Sequence, residues 1–514
     1  MNNTTKFLNI AESLKPKLIE STVRPKLEVS ILPNKTGLHG WSVQTVGSIY
    51  DLGKKSLGTN DSFTVDFGNH YVGYLNLKIN SLGSPQDAPL RLKLTLGEVP
   101  CEIAEPHENY NGWISKSWLQ QEIINIDVLP CTITLPRRYA FRYLKIEIIA
   151  TSQKYTVQFE DISVTSVTSA AISKITPLPS SLDKELIDMD KVAIRTLKNC
   201  MHLVFEDGPK RDRRLWIGDL RLQALANYYS IKNYDLVKRC LYLFAGLPEE
   251  NGQIGARLFL EPKLLVDDTI LFDYSLFFVS ILHDYYLETK DLDTLHDLWP
   301  VAMKQIEIAL SRLDENNIVV DSDEWWSFTD WHPDLNKQAP AQAVLIYTMK
   351  QSKVLAEILK DTGAIEYLIK NIETTSTAAL KYLFDKEQGL FISGKDRQVS
   401  WASQAWMVLA GVLSREGNST VLDTLFKVNP EINMVTPYMY HHLIEALIIS
   451  DKKDTALRLM KSYWGEMLKD GADCFWELYN PNNKFESPYG SNLINSYCHA
   501  WSCTPTYFIR KYFL

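Results

Sequence analysis

The sequence predicts two unlike halves: an antiparallel β-sandwich over residues 1–175, then an (α/α)6 barrel over residues 176–514. Two observations carry this reading. Up to about residue 175 the apolar residues come in short, partly alternating segments, and beyond it their spacing changes to about 3.6. The second half then holds about twelve amphipathic runs, enough for six antiparallel helix pairs.

The first half contains Ser62–Val65, Val72–Ile79, Leu90–Leu96, Glu122–Val128, Tyr143–Ile149 and Thr156–Phe159, separated by Gly, Pro, Asn and Asp turns. Segments of this length, rich in β-branched residues, are those of an antiparallel sandwich. Its simplest role is to support its neighbour. Ser169–Ser181, with Pro177 and Pro179, reads as the connection. The helical runs follow at 182–204, 219–231, 234–246, 269–289, 292–313, 340–361, 364–385, 401–414, 419–427, 437–450, 451–469 and 491–512. No fixed repeat runs through them, which disfavours a solenoid. The loops at 206–218, 247–268, 314–339, 386–400 and 470–490 are longer than helix pairing requires, and surplus loop length usually serves function.

Composition narrows the class. The net charge of −8 offers no basic field for nucleic acid. Seven scattered cysteines without a CxxC pair suit free thiols in a reducing, cytoplasmic compartment. Met1–Leu18 lacks the apolar core of a signal peptide, and no apolar run is long enough for a membrane span. No HExxH motif, Walker loop, GxGxxG or GxSxG elbow occurs, and His441 and His442 would point to different sides of a helix; neither a metal nor a cofactor is expected.

Ten of the thirteen tryptophans follow residue 210, several beside acids, as in Glu324-Trp325-Trp326, Asp330-Trp331 and Trp476-Glu477. Indoles are more often core than site, but an indole beside a carboxylate suits a sugar, covering its C–H face while the acid accepts a hydroxyl proton. Glu206–Asp219 packs four carboxylates, four cations and Trp216 into one interhelical loop. A preorganised pocket and a structural ion-pair knot share that composition. The loop Asp470–Tyr479 places Glu477 after Phe475 and Trp476. Hydrolysis of a glycoside with inversion needs two carboxyl groups ~6.5–9.5 Å apart, one as acid and one as base, which two such loops could supply from opposite sides of a cavity.

Asp207-Gly-Pro-Lys-Arg-Asp-Arg-Arg-Leu-Trp-Ile-Gly-Asp219 resembles the signature loop of the α-L-rhamnosidases of glycoside hydrolase family 78. Gly471-Ala-Asp-Cys-Phe-Trp-Glu477 and His499-Ala-Trp-Ser502 resemble that family's later landmarks, in matching order, and Asp66–Tyr74 its sandwich strand motif. The resemblance implies Asp212 as general acid and Glu477 as general base. It implies that Asp207 and Asp219 hold rhamnose hydroxyls, that Trp216 lines the −1 pocket and that His499 bonds the sugar. Asp273, Asp330, Trp331 and Trp476 are expected to contribute to substrate binding. Many family members carry Glu at the position of Asp212, whose side chain is one methylene shorter. The expected substrate is a small rhamnosyl glycoside or disaccharide, hydrolysed from its end without metal or cofactor. A different sugar on the same barrel, or a degenerate carbohydrate-binding scaffold, are the competing readings. An uncovered sandwich edge is consistent with a homodimer.

Overall fold

The computed structural model describes residues 3–514, leaving Met1 and Asn2 outside it. Its N-terminal region is a nine-stranded antiparallel sheet and its C-terminal part is helical. The strands are β1 (Ile19–Val23), β2 (Leu27–Pro33), β3 (Trp41–Ser48), β4 (Ser62–Gly83), β5 (Leu90–Gly97), β6 (Gln121–Ile126), β7 (Cys131–Thr134), β8 (Tyr139–Ala150) and β9 (Tyr155–Thr168). The long strand β4 organises them. Its first part pairs with β2 and β8, and after an irregularity between Asp66 and Tyr71 its remainder pairs mainly with β9 and β7. That break lets one strand pair with different partners along its length, around a core that includes Val65, Phe67, Leu77, Phe141, Ile146 and Val157.

The sheet region is preceded by a helix, α1 (Asn3–Ser13), which the reading of residues 1–175 as β passes over. Phe7 and Ala11, one turn apart, bury themselves in the core of the helical half instead of that of the sheet region.

The helical half begins with α2 (Lys184–Asn199), α3 (Ile217–Tyr229), α4 (Tyr234–Ala245), α5 (Phe272–Thr289), α6 (Leu292–Leu310) and α7 (Gln338–Leu359). It continues with α8 (Thr362–Tyr382), α9 (Trp401–Ala410), α10 (Arg415–Val428), α11 (Pro437–Ile449), α12 (Lys453–Met460) and α13 (Pro505–Tyr512). Side-chain caps open many of them: Asp183, Asn233, Asp291, Asp361 and Ser400 each accept a first-turn amide. Helices α3, α5, α7, α9 and α11 pack each on the next, and the turn Ala500–Ser502 touches both α11 and α3. These inner elements are apolar on nearly all sides; every residue of α9 is buried. Their partners are one-sided: α8 buries only Leu368, Thr375, Ala378 and Ala379. The run expected as one helix over 491–512 is instead a loop with two short 3-10 turns, followed by α13 from Pro505. Proline cannot donate an interior helix bond and suits the first turn instead. No helix among the described residues is long and apolar enough to cross a membrane.

Candidate active site

Three segments meet at one end of the inner helices: the loop 206–216, the stretch 473–479 and the stretch 495–501. Backbone bonds lace them together, from Ala500 N to Asp207 O (2.7 Å), Glu477 N to Ser496 O (3.0 Å) and His499 N to Phe475 O (2.9 Å). Lys210 and Arg211, both buried, turn inward as braces. Lys210 Nζ donates to Glu102 of the sheet region and to the Leu493 and Asn495 carbonyls. Arg211 Nε donates to Ile494 O at 2.7 Å, and its Nη2 to Glu477 Oε2 at 2.5 Å. The cationic loop is thus an ion-pair knot and the wall of a pocket at once. Gly218 is required by packing, because a Cβ there would lie 2.3 Å from the Tyr274 ring.

The cavity these segments enclose measures about 550 Å³. Aromatic side chains form much of its wall. Phe328 and Trp501 stack at 5.5 Å, Trp216 meets Tyr274 edge-on at 6.3 Å, and Trp331 meets Tyr489 edge-on at 5.5 Å. Its acids are Asp207, Asp212, Asp219, Asp330 and Glu477. Such a surface, apolar rings with a few convergent polar groups, is that of a small-molecule site.

The carboxyl groups have different surroundings. Asp207 and Asp219 are buried; burial raises both well above the ordinary carboxylate range, and neighbouring acids push them further. Asp207 Oδ1 closes its own loop by accepting from Arg214 N at 2.9 Å, whereas Asp219 Oδ1 accepts no hydrogen bond. His499 Nδ1, 3.5 Å from Asp219, is likewise unpartnered, and burial lowers that imidazole well below its usual value, so it is neutral. These two buried atoms stand next to each other with no other partner. Glu477 is gripped on both oxygens, by Arg211 and by the Tyr489 hydroxyl. Burial and the Glu477 charge push the Tyr489 phenol well up, which keeps it a donor. Asp212 is the open one: its side chain is 31% exposed and lies 3.9 Å from Arg257 Nη1.

The sequence is matched over residues 25–166 by the model of the glycosyl hydrolase family 78 alpha-rhamnosidase N-terminal domain. Residues 180–513 match that of the bacterial alpha-L-rhamnosidase 6 hairpin glycosidase domain. The chain belongs to the family 78 α-L-rhamnosidases. Among solved structures, this family 78 chain is similar to a rhamnosidase from Klebsiella oxytoca with rhamnose bound, at 48% identity over 99% of both chains and a TM-score of 0.97. A family 78 rhamnosidase of Bacillus sp. GL1 shares its fold at 20% identity and a TM-score of 0.75, over 93% of this chain and 50% of that one. The Streptomyces avermitilis α-L-rhamnosidase complexed with L-rhamnose does so at 14% identity and a TM-score of 0.66, over 96% of this chain and 44% of that one. No curated protein sequence matches the chain.

Not every residue singled out in the sequence faces the cavity of this glycoside hydrolase. Asp207, Asp212, Trp216, Asp219, Asp330, Trp331, Glu477 and His499 line it. Asp273 does not: its carboxylate accepts from the amides of Tyr274, Phe328 and Thr329, so it fastens the 328–330 turn from beneath. Asp330 has a comparable duty, accepting from Val435 N, Thr436 N and Thr436 Oγ1 at the start of α11. Trp476 instead lines a second cavity together with residues of the sheet region. In its place the cavity receives Trp501, Tyr274, Phe328, Tyr489 and Arg211, and the sheet region contributes Trp113.

One cluster behind the site has the composition of a metal site. The donor atoms of His70, Cys474 and Cys498 lie within 4.8 Å of one another. Both His70 nitrogens are already committed, Nε2 to Glu98 at 2.8 Å and Nδ1 to Asn199 at 2.9 Å.

Proposed function

We propose that this chain is an exo-acting, inverting α-L-rhamnosidase for small glycosides, built on an (α/α)6 barrel, with Asp212 as general acid and Glu477 as general base. The barrel reading rests on the ring of inner helices, each packed on the next, with the Ala500–Ser502 turn between α11 and α3. Alternate helices pack outside it. The likeness to the rhamnose-bound Klebsiella oxytoca enzyme, at 48% identity over nearly the whole chain, supports rhamnose as the sugar.

The observation that carries the mechanism is the unlike treatment of carboxyls in one cavity. A base that activates water must be ionised and oriented, and Glu477 is held on both oxygens by Arg211 and Tyr489. Asp207 and Asp219, whose burial favours the protonated form, line the cavity where they exchange hydrogen bonds with sugar hydroxyls, and His499 lines it beside them. Asp212, exposed in the cavity, is the carboxyl free to reach the leaving oxygen. The aromatic wall covers the apolar face of a 6-deoxy sugar.

A volume of about 550 Å³ holds a monosaccharide and a modest aglycone, which favours cleavage at a chain end. Seven free thiols, six of them buried, support a reducing, cytoplasmic location. The test is turnover of p-nitrophenyl α-L-rhamnopyranoside by wild type, Asp212→Asn and Glu477→Gln. Both variants should lose at least about 100-fold in kcat. Full activity in Asp212→Asn would transfer the acid role to Asp207 or Asp219.

A further inference from the structure

A second cavity, of about 380 Å³, lies between the sheet region and the back of the loop that carries Glu477. Leu38, Val43, Trp41 and Trp476 line it together with the charged Arg142, Asp473, Lys469 and Asp470. Its polar corner is incomplete. Arg142 is fixed by two bonds to Asp66, each 2.9 Å, and its Nη1 lies 3.7 Å from Asp473 Oδ2. That separation is too long for a hydrogen bond. Asp473 Oδ2 is buried and accepts no bond from any described residue. Here a rigid donor and an empty acceptor stand apart by a distance that one hydroxyl can bridge, accepting from the guanidinium and donating to the carboxylate. Trp41 is held in place through its indole N–H, which donates to Glu105 at 3.0 Å.

We infer that this interdomain cavity is a second monosaccharide-binding site, taking the L-rhamnose released in the neighbouring cavity. The identity of the ligand rests on the proposed rhamnosidase reading; the existence of the site does not. A 6-deoxyhexose suits the lining, its methyl group and C–H faces against the aliphatic side chains and indoles, and its hydroxyls at the Arg142–Asp473 gap. Asp473 and Trp476 lie within four residues of Glu477 on one loop, so an occupied cavity would fix the backbone that carries the proposed base.

Equilibrium dialysis of L-rhamnose against the full chain tests this. Wild type should bind two equivalents. Asp473→Asn and Trp41→Ala should each bind one, with second-site affinity at least tenfold weaker and turnover of the p-nitrophenyl rhamnoside retained. Asp219→Asn should also bind one, which Asp473→Asn then removes. A single equivalent in wild type, lost in Asp219→Asn but kept in Asp473→Asn and Trp41→Ala, would overturn the inference and leave the gap to water. No binding at all would overturn it as well. A single wild-type equivalent lost only in Asp473→Asn and Trp41→Ala would uphold this site and remove sugar binding from the cavity of Glu477.

Discussion

Arg211 holds Glu477 from two directions: Nη2 donates to Oε2 at 2.5 Å, while the guanidinium lies 4.1 Å from the ring centre of Tyr489, whose hydroxyl donates to the other oxygen. The arginine comes from the loop of Asp207 and the glutamate from the far end of the chain, so bringing the two ends of the helical half together and orienting the carboxylate are one event. Arg211→Met should abolish most activity and destabilise the fold by about 3–5 kcal/mol, the usual cost of stripping one partner from a buried pair. Arg211→Lys should recover stability in part but not the forked contact with Ile494 O and Glu477, leaving kcat low. Thermal melting together with kcat separates the two effects.

Tyr489→Phe removes one donor from Glu477 and leaves the ring. A hydrogen bond to a charged group contributes about 1.5–3 kcal/mol, so kcat should fall roughly 10- to 100-fold. Circular dichroism should show an unchanged fold, and KM should move little.

Asp219 sets a pH dependence of stability. Burial, and then the Glu477 charge, raise its folded-state value, so the native state binds more protons than the unfolded chain above the ordinary carboxylate range. The associated stability is complete below about pH 4 and is lost as pH rises through the raised value. Asp219→Asn should therefore show a smaller fall in Tm between pH 5 and pH 8 than wild type, while its turnover drops. Equal Tm slopes in the two proteins would show that Asp219 ionises as readily folded as unfolded.

Trp113 reaches the cavity rim from the sheet region with 69% of its surface exposed. Trp113→Ala should raise KM for aryl rhamnosides several-fold with kcat nearly unchanged, as expected for a residue that binds the aglycone and takes no part in the chemistry. The same kinetics with and without the indole would confine the sheet region to support.

How much of this the sequence discloses depends on the range of the interaction that decides it. The change of apolar period near residue 175 is local, so the order of sheet and helices is readable. The loops around Asp207 and Glu477 announce themselves by their density of acids and indoles. What local pattern cannot supply is direction. Trp476 and Trp501 both stand near acids or histidine, yet the first lines the cavity against the sheet region and the second, on the 3-10 turn Ala500–Ser502, lines the cavity of Glu477. Asp273 and Asp330 have the acid-and-aromatic look of sugar contacts, but a carboxylate that gathers backbone amides at a turn has the same neighbours. Trp113 carries no signal at all, since it reaches the site only after the sheet region packs on the helical half. Arg211 finds Glu477 through a contact spanning most of the helical half, and Tyr489, twelve residues on, finds it only because the intervening chain folds back.

The most direct test of the proposed chemistry is the anomer formed first. Proton NMR during rapid hydrolysis of p-nitrophenyl α-L-rhamnopyranoside should show β-L-rhamnose ahead of mutarotation, because water activated by Glu477 attacks the face opposite the leaving group. Initial release of α-L-rhamnose would contradict the account and make one of these carboxylates a nucleophile.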